Sequence, residues 1–114
     1  MLDSSYYQWT MGDATMFVRK LSEIVVPFGY EVAIAGSVLK TGRSMKNLDV
    51  VLFPTCIGKE DEKSLTNALQ AFGMRMTHGA ERVRKGWGEK GARDTKHIEV
   101  WDYNGKRVHL FFLK

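Results

Sequence analysis

The chain has 114 residues and a formal net charge of +4, and 44% of its residues are hydrophobic and 26% charged. This composition is typical of globular proteins and excludes disordered and fibrous classes, and the length predicts a single domain over residues 1–114. No apolar run approaches the roughly 20 residues that span a bilayer, so we expect no contact with a membrane.

The N-terminal residues and the cysteine content predict a cytoplasmic location. Residues 1–12 lack the basic start and apolar segment of a secretory signal, and we interpret them as an N-terminal extension whose aromatic residues pack against the domain. Binding of a partner is the alternative role for those aromatic residues. The one cysteine, Cys56, can form no disulfide within the chain, which is typical of a reducing compartment.

The first predicted element is a helix from Asp13 to Val26, with Asp13 as its N-cap and Pro27 ending it. Its apolar residues recur on one face, at Phe17, Leu21 and Ile24.

Two buried strands follow, and each is a short run rich in Val and Ile. The first covers Tyr30 to Ala35 and the second covers Asp49 to Phe53, where Pro54 closes it.

A second helix is predicted from Asp61 or Glu62 to Phe72, because acidic residues favour a helix N-terminus and Gly73 favours its end. Its apolar stripe consists of Leu65, Ala68, Leu69 and Phe72.

Residues 74–95 are predicted to form a glycine-rich basic loop with a short strand near Met74 to Thr77. The segment from Arg75 to Lys96 contains seven basic and three acidic residues, whereas the rest of the chain has no net charge. Such a local positive field favours an anionic partner, and a solvated loop without a partner is the alternative. The residues that could hold bases or phosphates are Arg82, Arg84, Lys85 and Trp87.

The last element is predicted to be a β-hairpin. His97 to Tyr103 alternates, Asn104-Gly105 is a preferred two-residue turn, and Arg107 to Leu113 forms the return strand. This turn predicts that Asp102 faces Arg107, with which it would form an ion pair, and places His109 on the same face. The order of elements predicts a small α+β (mixed α/β) domain in which helices pack on a short mixed sheet.

One stretch carries chemistry at the point where the first strand ends, AGSVLKTGRSMKNLDVVLFP. Gly36 lets the backbone approach a ligand closely, and Ser37 offers a hydroxyl and exposed N–H groups that suit a phosphate. Lys40 and Arg43 add positive charge beside them. Taken by itself this pattern is also compatible with an ordinary turn.

Together with the final hairpin, the stretch resembles the DNA polymerase β-like nucleotidyltransferase superfamily. The shared pattern is a strand ending in Gly-Ser, a connector with a further Gly and Ser (Gly42 and Ser44), an Asp-x-Asp position opening the next strand, and a later hairpin with a third carboxylate. The resemblance covers about Asp13 to Leu113. It implies that Gly36, Ser37, Lys40, Arg43 and Ser44 bind a nucleoside triphosphate and that three carboxylates bind Mg²⁺ ions, which activate an attacking hydroxyl.

At the three carboxylate positions the sequence has Asn47, Asp49 and His109. Asp49 is therefore the expected catalytic residue and metal ligand, with Asn47 as a second ligand and His109 as a second catalytic candidate. Asn47 would offer Mg²⁺ only a neutral oxygen, and His109 would offer a ring nitrogen that this hard cation does not favour, which predicts a weak or absent metal. The alternative role for Asp102, beside the ion pair, is to reach toward His109 and replace a missing carboxylate of the site. A partly buried histidine with no catalytic role is the alternative for His109.

Three functions remain open at this point. The protein is a nucleotidyltransferase that transfers a nucleoside monophosphate to an acceptor, an inactive relative that binds nucleotide or nucleic acid, or a module that binds an acidic protein through the basic loop. We expect an acceptor site to require another subunit, a partner protein or that loop.

Overall fold

A computed structural model of the chain describes residues 8–55, 60–87 and 95–113. Seven strands lie along it in chain order: β1 Trp9–Thr10, β2 Tyr30–Ala35, β3 Arg43–Ser44, β4 Asn47–Pro54, β5 Met74–His78, β6 Thr95–Tyr103 and β7 Lys106–Leu113. The helices are α1 Met11–Val25, α2 Gly36–Thr41, α3 Glu62–Phe72 and α4 Ala80–Trp87, and a 3₁₀ turn spans Val26–Phe28. The predicted mixed α+β class is therefore confirmed.

The main sheet has five strands in the order β2-β4-β7-β6-β5. β4 and β7 are parallel, and the other neighbours in this sheet are antiparallel. The short strands β1 and β3 form a separate pair that joins the start of the described chain to the segment before β4. Because β7 lies between β4 and β6, residues from both halves of the sequence meet at the centre of the sheet.

One face of the sheet carries the main core. β4 alternates so that Leu48, Val50 and Leu52 are buried, and Val108, Leu110 and Phe112 of β7 match them. Against these strands pack the buried residues of α1 and α3, namely Ala14, Phe17, Leu21, Val25, Leu65 and Leu69. The other face of β4 and β7 presents Asn47, Asp49 and His109, so the alternation separates the core from the candidate site.

The first helix begins earlier than its sequence predicts. Thr10 is the N-cap, and its side chain accepts a hydrogen bond from the backbone N–H of Asp13 at 3.2 Å. Asp13 therefore lies in the first turn. The predicted extension over residues 1–12 is correspondingly shorter, since β1 and the start of α1 occupy its end, and residues 1–7 lie outside the described part. The prediction that the N-terminal aromatic residues pack against the domain is confirmed for Trp9, which is 2% exposed.

The second predicted helix is confirmed. Asp61 caps α3, because its carboxylate accepts a hydrogen bond from the N–H of Ser64 at 3.1 Å, and this bond lowers the pKa of Asp61. Gly73 ends the helix at a φ of 106°.

The prediction of a loop over residues 74–95 is wrong for much of its length. The expected short strand is present as β5, but residues 80–87 form α4. The N–H of Val83 bonds to the carbonyl of Gly79 at 3.0 Å, and Val83 is the one side chain of this helix that is buried among those described. Ala80, Val83 and Trp87 do recur at helical spacing in the sequence, but the segment is short, and Gly79, Gly86 and Gly88 flank and interrupt it, which favours the interpretation as a loop. Residues 88–94, like Cys56, lie outside the described part.

The hairpin has the predicted register. Tyr103 pairs with Lys106, Asp102 with Arg107 and Glu99 with Leu110. Asn104 and Gly105 have φ values of 52° and 82°, the positive values that a two-residue type I′ turn requires. No helix in the described ranges combines the length and apolar character needed to cross a membrane.

Candidate functional site

Gly36 and Asp49 meet at the edge of the sheet. Ala35, the last residue of β2, pairs with Asp49 of β4, so Gly36 begins directly beside the carboxylate. Gly36 has a φ of 68°, and a Cβ built on it would collide with Oδ2 of Asp49 and lie 2.9 Å from its Cγ. The sequence predicts a glycine that admits a ligand, and the structure adds that the group lying against this glycine is the Asp49 side chain.

Parallel pairing of β4 and β7 places His109 beside Asp49. The ring Nδ1 of His109 lies 3.4 Å from Oδ1 of Asp49, and these side chains are 12% and 23% exposed. The amide Nδ2 of Asn47 donates a hydrogen bond to the same Oδ1 at 2.5 Å. The three residues predicted from the resemblance are thus brought together, and both neighbours direct nitrogen atoms at the one carboxylate.

This donor set does not fit Mg²⁺. A hard cation prefers oxygen ligands in an octahedral arrangement, yet here the amide nitrogen and the imidazole nitrogen face the carboxylate oxygen that would coordinate it. Within the described ranges no group of three or more His, Cys, Asp and Glu residues is arranged to hold a metal ion. A single carboxylate supplies one negative charge, where two divalent cations would require several.

The predicted phosphate-binding residues lie around the connector from Gly36 to Ser44. Ser37 and Lys40 are exposed on α2, and the Ser37 carbonyl accepts a hydrogen bond from Oγ1 of Thr41 at 2.9 Å. Arg43 is exposed on β3. Ser44 is buried, and its Oγ accepts hydrogen bonds from the N–H groups of Lys46 and Asn47, both at 3.3 Å. The hydroxyl of Ser44 therefore shapes the turn that leads into β4.

The helix α4 packs on the same face of the sheet as the candidate site. Val83 and Val100 are both 4% exposed and both lie outside the main core cluster, and Val100 pairs with His109 across β6 and β7. Arg82, Arg84 and Lys85 of α4 are exposed. Three cations thus lie on a helix beside the strand next to the site. Trp87 ends this helix, and its side chain lies outside the described part.

Arg107 is a cationic residue of this face that sequence reasoning did not include in the site. It is exposed and pairs with Asn47 in the parallel register of β4 and β7, two residues before His109. The predicted ion pair with Asp102 is not found among the described residues, where Oδ2 of Asp102 accepts a hydrogen bond from the N–H of Gly105 at 3.2 Å. The signal that could have found Arg107 is the pairing of β4 with β7, which local sequence patterns do not reveal.

Two solved structures illustrate the similarity of this fold to known proteins. One is a cytoplasmic RNA terminal U-transferase, which matches with a TM-score of 0.56 at 11% sequence identity over 90% of this chain. Another is Cid1 in complex with the UTP analog UMPNPP, which matches with a TM-score of 0.54 at 14% identity over 90% of this chain. At these identities the similarity establishes the fold.

This chain covers 28% of the U-transferase chain and 30% of the Cid1 chain. No family model and no curated protein sequence matches it. The comparisons therefore support the nucleotidyltransferase fold and leave the chemistry to be argued from the site itself.

Proposed function

We propose that this protein binds a nucleoside triphosphate at the edge where Gly36 meets Asp49, and that it does so without transferring a nucleotide. The observation that carries the proposal is that Asn47 and His109 direct nitrogen atoms at Oδ1 of Asp49. A carboxylate engaged in this way contributes to the shape of the site and is poorly disposed to hold a metal. Support for nucleotide binding comes from the fold, which is similar to that of Cid1 in complex with a UTP analog.

Transfer of a nucleoside monophosphate requires activation of the attacking hydroxyl and stabilisation of the charge that develops on the phosphates. Mg²⁺ ions would supply both effects, and the residues present do not fit them. The cations around the site are Lys40 and Arg43 on the connector and Arg107 on β7. These side chains are suited to attract a triphosphate, but none of them replaces the metal that activates a hydroxyl.

The first experiment is a titration with ATP, GTP, CTP and UTP in EDTA and again in Mg²⁺, followed by NMR at the amides of Gly36, Ser37 and Asp49. We expect at least one triphosphate to bind in EDTA with an affinity within a factor of about three of that in Mg²⁺. Absence of binding under both conditions would refute the proposed nucleotide site. Binding that requires Mg²⁺, together with pyrophosphate release, would identify an active nucleotidyltransferase instead.

The variant Asp49→Asn distinguishes two possible roles of Asp49, namely binding a metal ion and only filling space in the site. If Asp49 holds no metal, its neutralisation removes repulsion from the triphosphate, and we expect binding in EDTA to stay equal or to tighten by up to about tenfold. The matched control is Glu31→Gln on β2, an exposed carboxylate, which should have no effect. Weaker binding by Asp49→Asn in Mg²⁺ alone would show that a metal is held there.

The double variant Asn47→Asp with His109→Asp tests whether the three positions form one site. Three carboxylates in place of one should create Mg²⁺ affinity that the native chain lacks, so calorimetry should detect Mg²⁺ binding at millimolar concentration only in the double variant. Unchanged Mg²⁺ affinity, in a variant shown to be folded, would contradict the convergence of these side chains.

A second candidate function is binding of single-stranded nucleic acid, because the exposed cations of α4 lie on the same face as the site. This function also accommodates a transferase whose acceptor site is completed by a second subunit or a partner protein. The alternative of an acidic protein partner on this surface would give binding of acidic peptides and no binding of oligonucleotides.

A cytoplasmic location is part of the proposal, and one of the similar structures is a cytoplasmic enzyme.

A further inference from the structure

A second concave surface lies on the helix side of the sheet, away from Asp49. It is a cavity of about 170 Å³ between α1 and the β6–β7 turn, and we call it the α1–hairpin pocket. Its floor consists of Trp9, Phe17 and Tyr103, and its rim includes Asp13, Met16, Lys20 and Lys106. None of these residues belongs to the nucleotide site proposed above.

The floor of the α1–hairpin pocket is aromatic and rigid. Trp9 and Phe17 are 2% and 4% exposed, and their ring centroids are 5.3 Å apart. Tyr103 continues the cluster at 4.9 Å from Phe17 and stacks on Phe72 at 5.1 Å. Because these rings already pack against one another, the floor has a fixed shape before any ligand arrives.

The rim of the α1–hairpin pocket combines an exposed apolar side chain with two cations. Met16 is 62% exposed, which is unusual for a long apolar side chain and suits adaptable contact with a partner. Lys106 lies over the Trp9 ring at 5.1 Å and forms an ion pair with Asp13 at 3.3 Å. Lys20 is exposed, and no ion pair involves it within the described part of the chain.

The volume of the cavity limits what can enter it. A cavity of about 170 Å³ matches the volume of one large apolar side chain. Two ammonium groups against the single carboxylate of Asp13 leave a net positive rim, so the flanking groups of the ligand should be negative.

We propose that the α1–hairpin pocket binds an acidic peptide segment of a partner protein, which inserts one large apolar side chain between Met16 and Tyr103. The inserted side chain contacts the aromatic floor. Neighbouring carboxylates of the peptide contact Lys20 and, in competition with Asp13, Lys106. The apolar contact supplies affinity, and the lysines select acidic sequence around the inserted residue.

The probe is the capped peptide EEFEE, with EEAEE and KKFKK as controls, titrated into ¹⁵N-labelled protein. We expect EEFEE to shift the indole N–H of Trp9 and the amides of Met16 and Lys106, with an affinity at least tenfold above either control. No shift at these positions at millimolar EEFEE would overturn the proposal, and so would equal binding of EEFEE and EEAEE.

Two variants keep the proposal falsifiable without disturbing the core, because both side chains are exposed. Met16→Glu should abolish EEFEE binding, and Lys20→Glu should weaken EEFEE while strengthening KKFKK at least threefold. Unchanged EEFEE binding in both variants would place the peptide elsewhere and overturn the proposal. The matched control is Met45→Glu, since Met45 is 54% exposed and does not line the pocket. Nucleotide binding should be the same in Met16→Glu and Lys20→Glu, which lie away from the nucleotide site, so failure here is independent of the function proposed above.

Discussion

Gly36 and Gly42 both have positive φ values, 68° and 79°, but they differ in what surrounds them. A Cβ at Gly42 would meet nothing within 4 Å, whereas one at Gly36 would overlap the Asp49 carboxylate. A substitution at Gly42 would therefore introduce backbone strain alone, whereas one at Gly36 would add a collision with the Asp49 side chain.

The substitutions Gly42→Ala and Gly36→Ala test this difference. Gly42→Ala should lower the free energy of unfolding by about 1–2 kcal/mol, since a left-handed conformation disfavours a Cβ. Gly36→Ala should lower it by about 2–4 kcal/mol, because the Asp49 side chain must also move. Urea unfolding gives both values.

A further experiment repeats Gly36→Ala in a protein that also carries Asp49→Ala. There the loss should fall toward that of Gly42→Ala, since the carboxylate is gone. An equal loss at the two glycines in the native background would show that the contact between Gly36 and Asp49 carries no energy.

Tyr30 is 2% exposed, and its hydroxyl has no hydrogen-bond partner within the described residues. Burial raises the pKa of Tyr30 well above its ordinary value, and the nearby carboxylates of Glu62, Glu60 and Asp61 raise it further. The folded protein therefore keeps this proton at a pH at which the unfolded chain has released it.

This shift has a definite consequence at alkaline pH. The unfolded chain loses the Tyr30 proton near pH 10, so the free energy of unfolding should fall as the pH rises above about 10, by up to about 1.4 kcal/mol per pH unit. Tyr30→Phe should remove this part of the decline and change stability near pH 7 by less than about 1 kcal/mol, because no described hydrogen bond is lost. Parallel alkaline declines in the two proteins would show that the hydroxyl is hydrated in the folded state.

Among the elements, α4 is the one whose proposed role, binding of nucleic acid, can be measured directly. Its exposed cations lie beyond β6 on the site face, whereas α1 and α3 pack on the opposite face. A strand of nucleic acid that reached the site along α4 would meet these cations and would not meet those of α1 or α3.

The variant Arg82→Ala with Arg84→Ala measures that contact. We expect it to weaken binding of a fluorescent oligo(U) of about 20 nucleotides by roughly tenfold and to reduce the slope of log affinity against log salt by about 1–1.5. The charge-matched control is Arg19→Ala with Lys63→Ala on α1 and α3, both exposed. Equal losses in the two double variants would indicate a general electrostatic effect and no surface on α4.

Local sequence patterns predicted those elements whose signals lie within a few neighbouring residues. Asn104-Gly105 specifies a tight turn and with it the register of β6 and β7 from the turn to the pair His97 and Phe112. In α3 both the N-cap residue, Asp61, and the residue that ends the helix, Gly73, can be recognised from the sequence. α4 was missed because glycines flank and interrupt its eight residues, which indicates a loop, and because it packs against β6, a segment that local patterns do not connect to it.

In the candidate site too, some features could be predicted from the sequence and others could not. The resemblance predicted that Asn47, Asp49 and His109 converge, and the structure places them together. The direction of the Asn47 amide and the place of Arg107 depend on the pairing of β4 with β7 and on side-chain packing, which no short segment encodes.

Across the whole molecule, Trp9 connects the two ends of the described chain. Its indole N–H donates a hydrogen bond to the carbonyl of Arg107 at 2.8 Å, across 98 residues of sequence. The side chain of Gln8 accepts a weaker bond from the N–H of the same residue at 3.3 Å. The start of β7 is therefore held by residues that precede α1.

Trp9→Phe should lower the free energy of unfolding by about 2 kcal/mol, because it removes a buried hydrogen bond and leaves part of the ring volume empty. Gln8→Ala should lower it by less than about 0.5 kcal/mol, since that bond is long and exposed. Chemical denaturation followed by circular dichroism measures both. Equal effects of the two substitutions would show that the indole bond does not anchor β7.

The place of β7 between β4 and β6 also bears on when the molecule can finish assembling during synthesis. β2 and β4 leave the ribosome before β7 and can pair with each other, yet the edge of β4 that pairs with β7 stays open until β7 has emerged. A sheet completed by so distant a segment closes slowly, and its unfilled edge is exposed to other chains in the meantime. Asp49 consequently acquires His109 as a neighbour only after β7 has been synthesised, so a nascent chain that has not reached β7 displays the glycine-serine turn without the complete set of Asn47, Asp49 and His109.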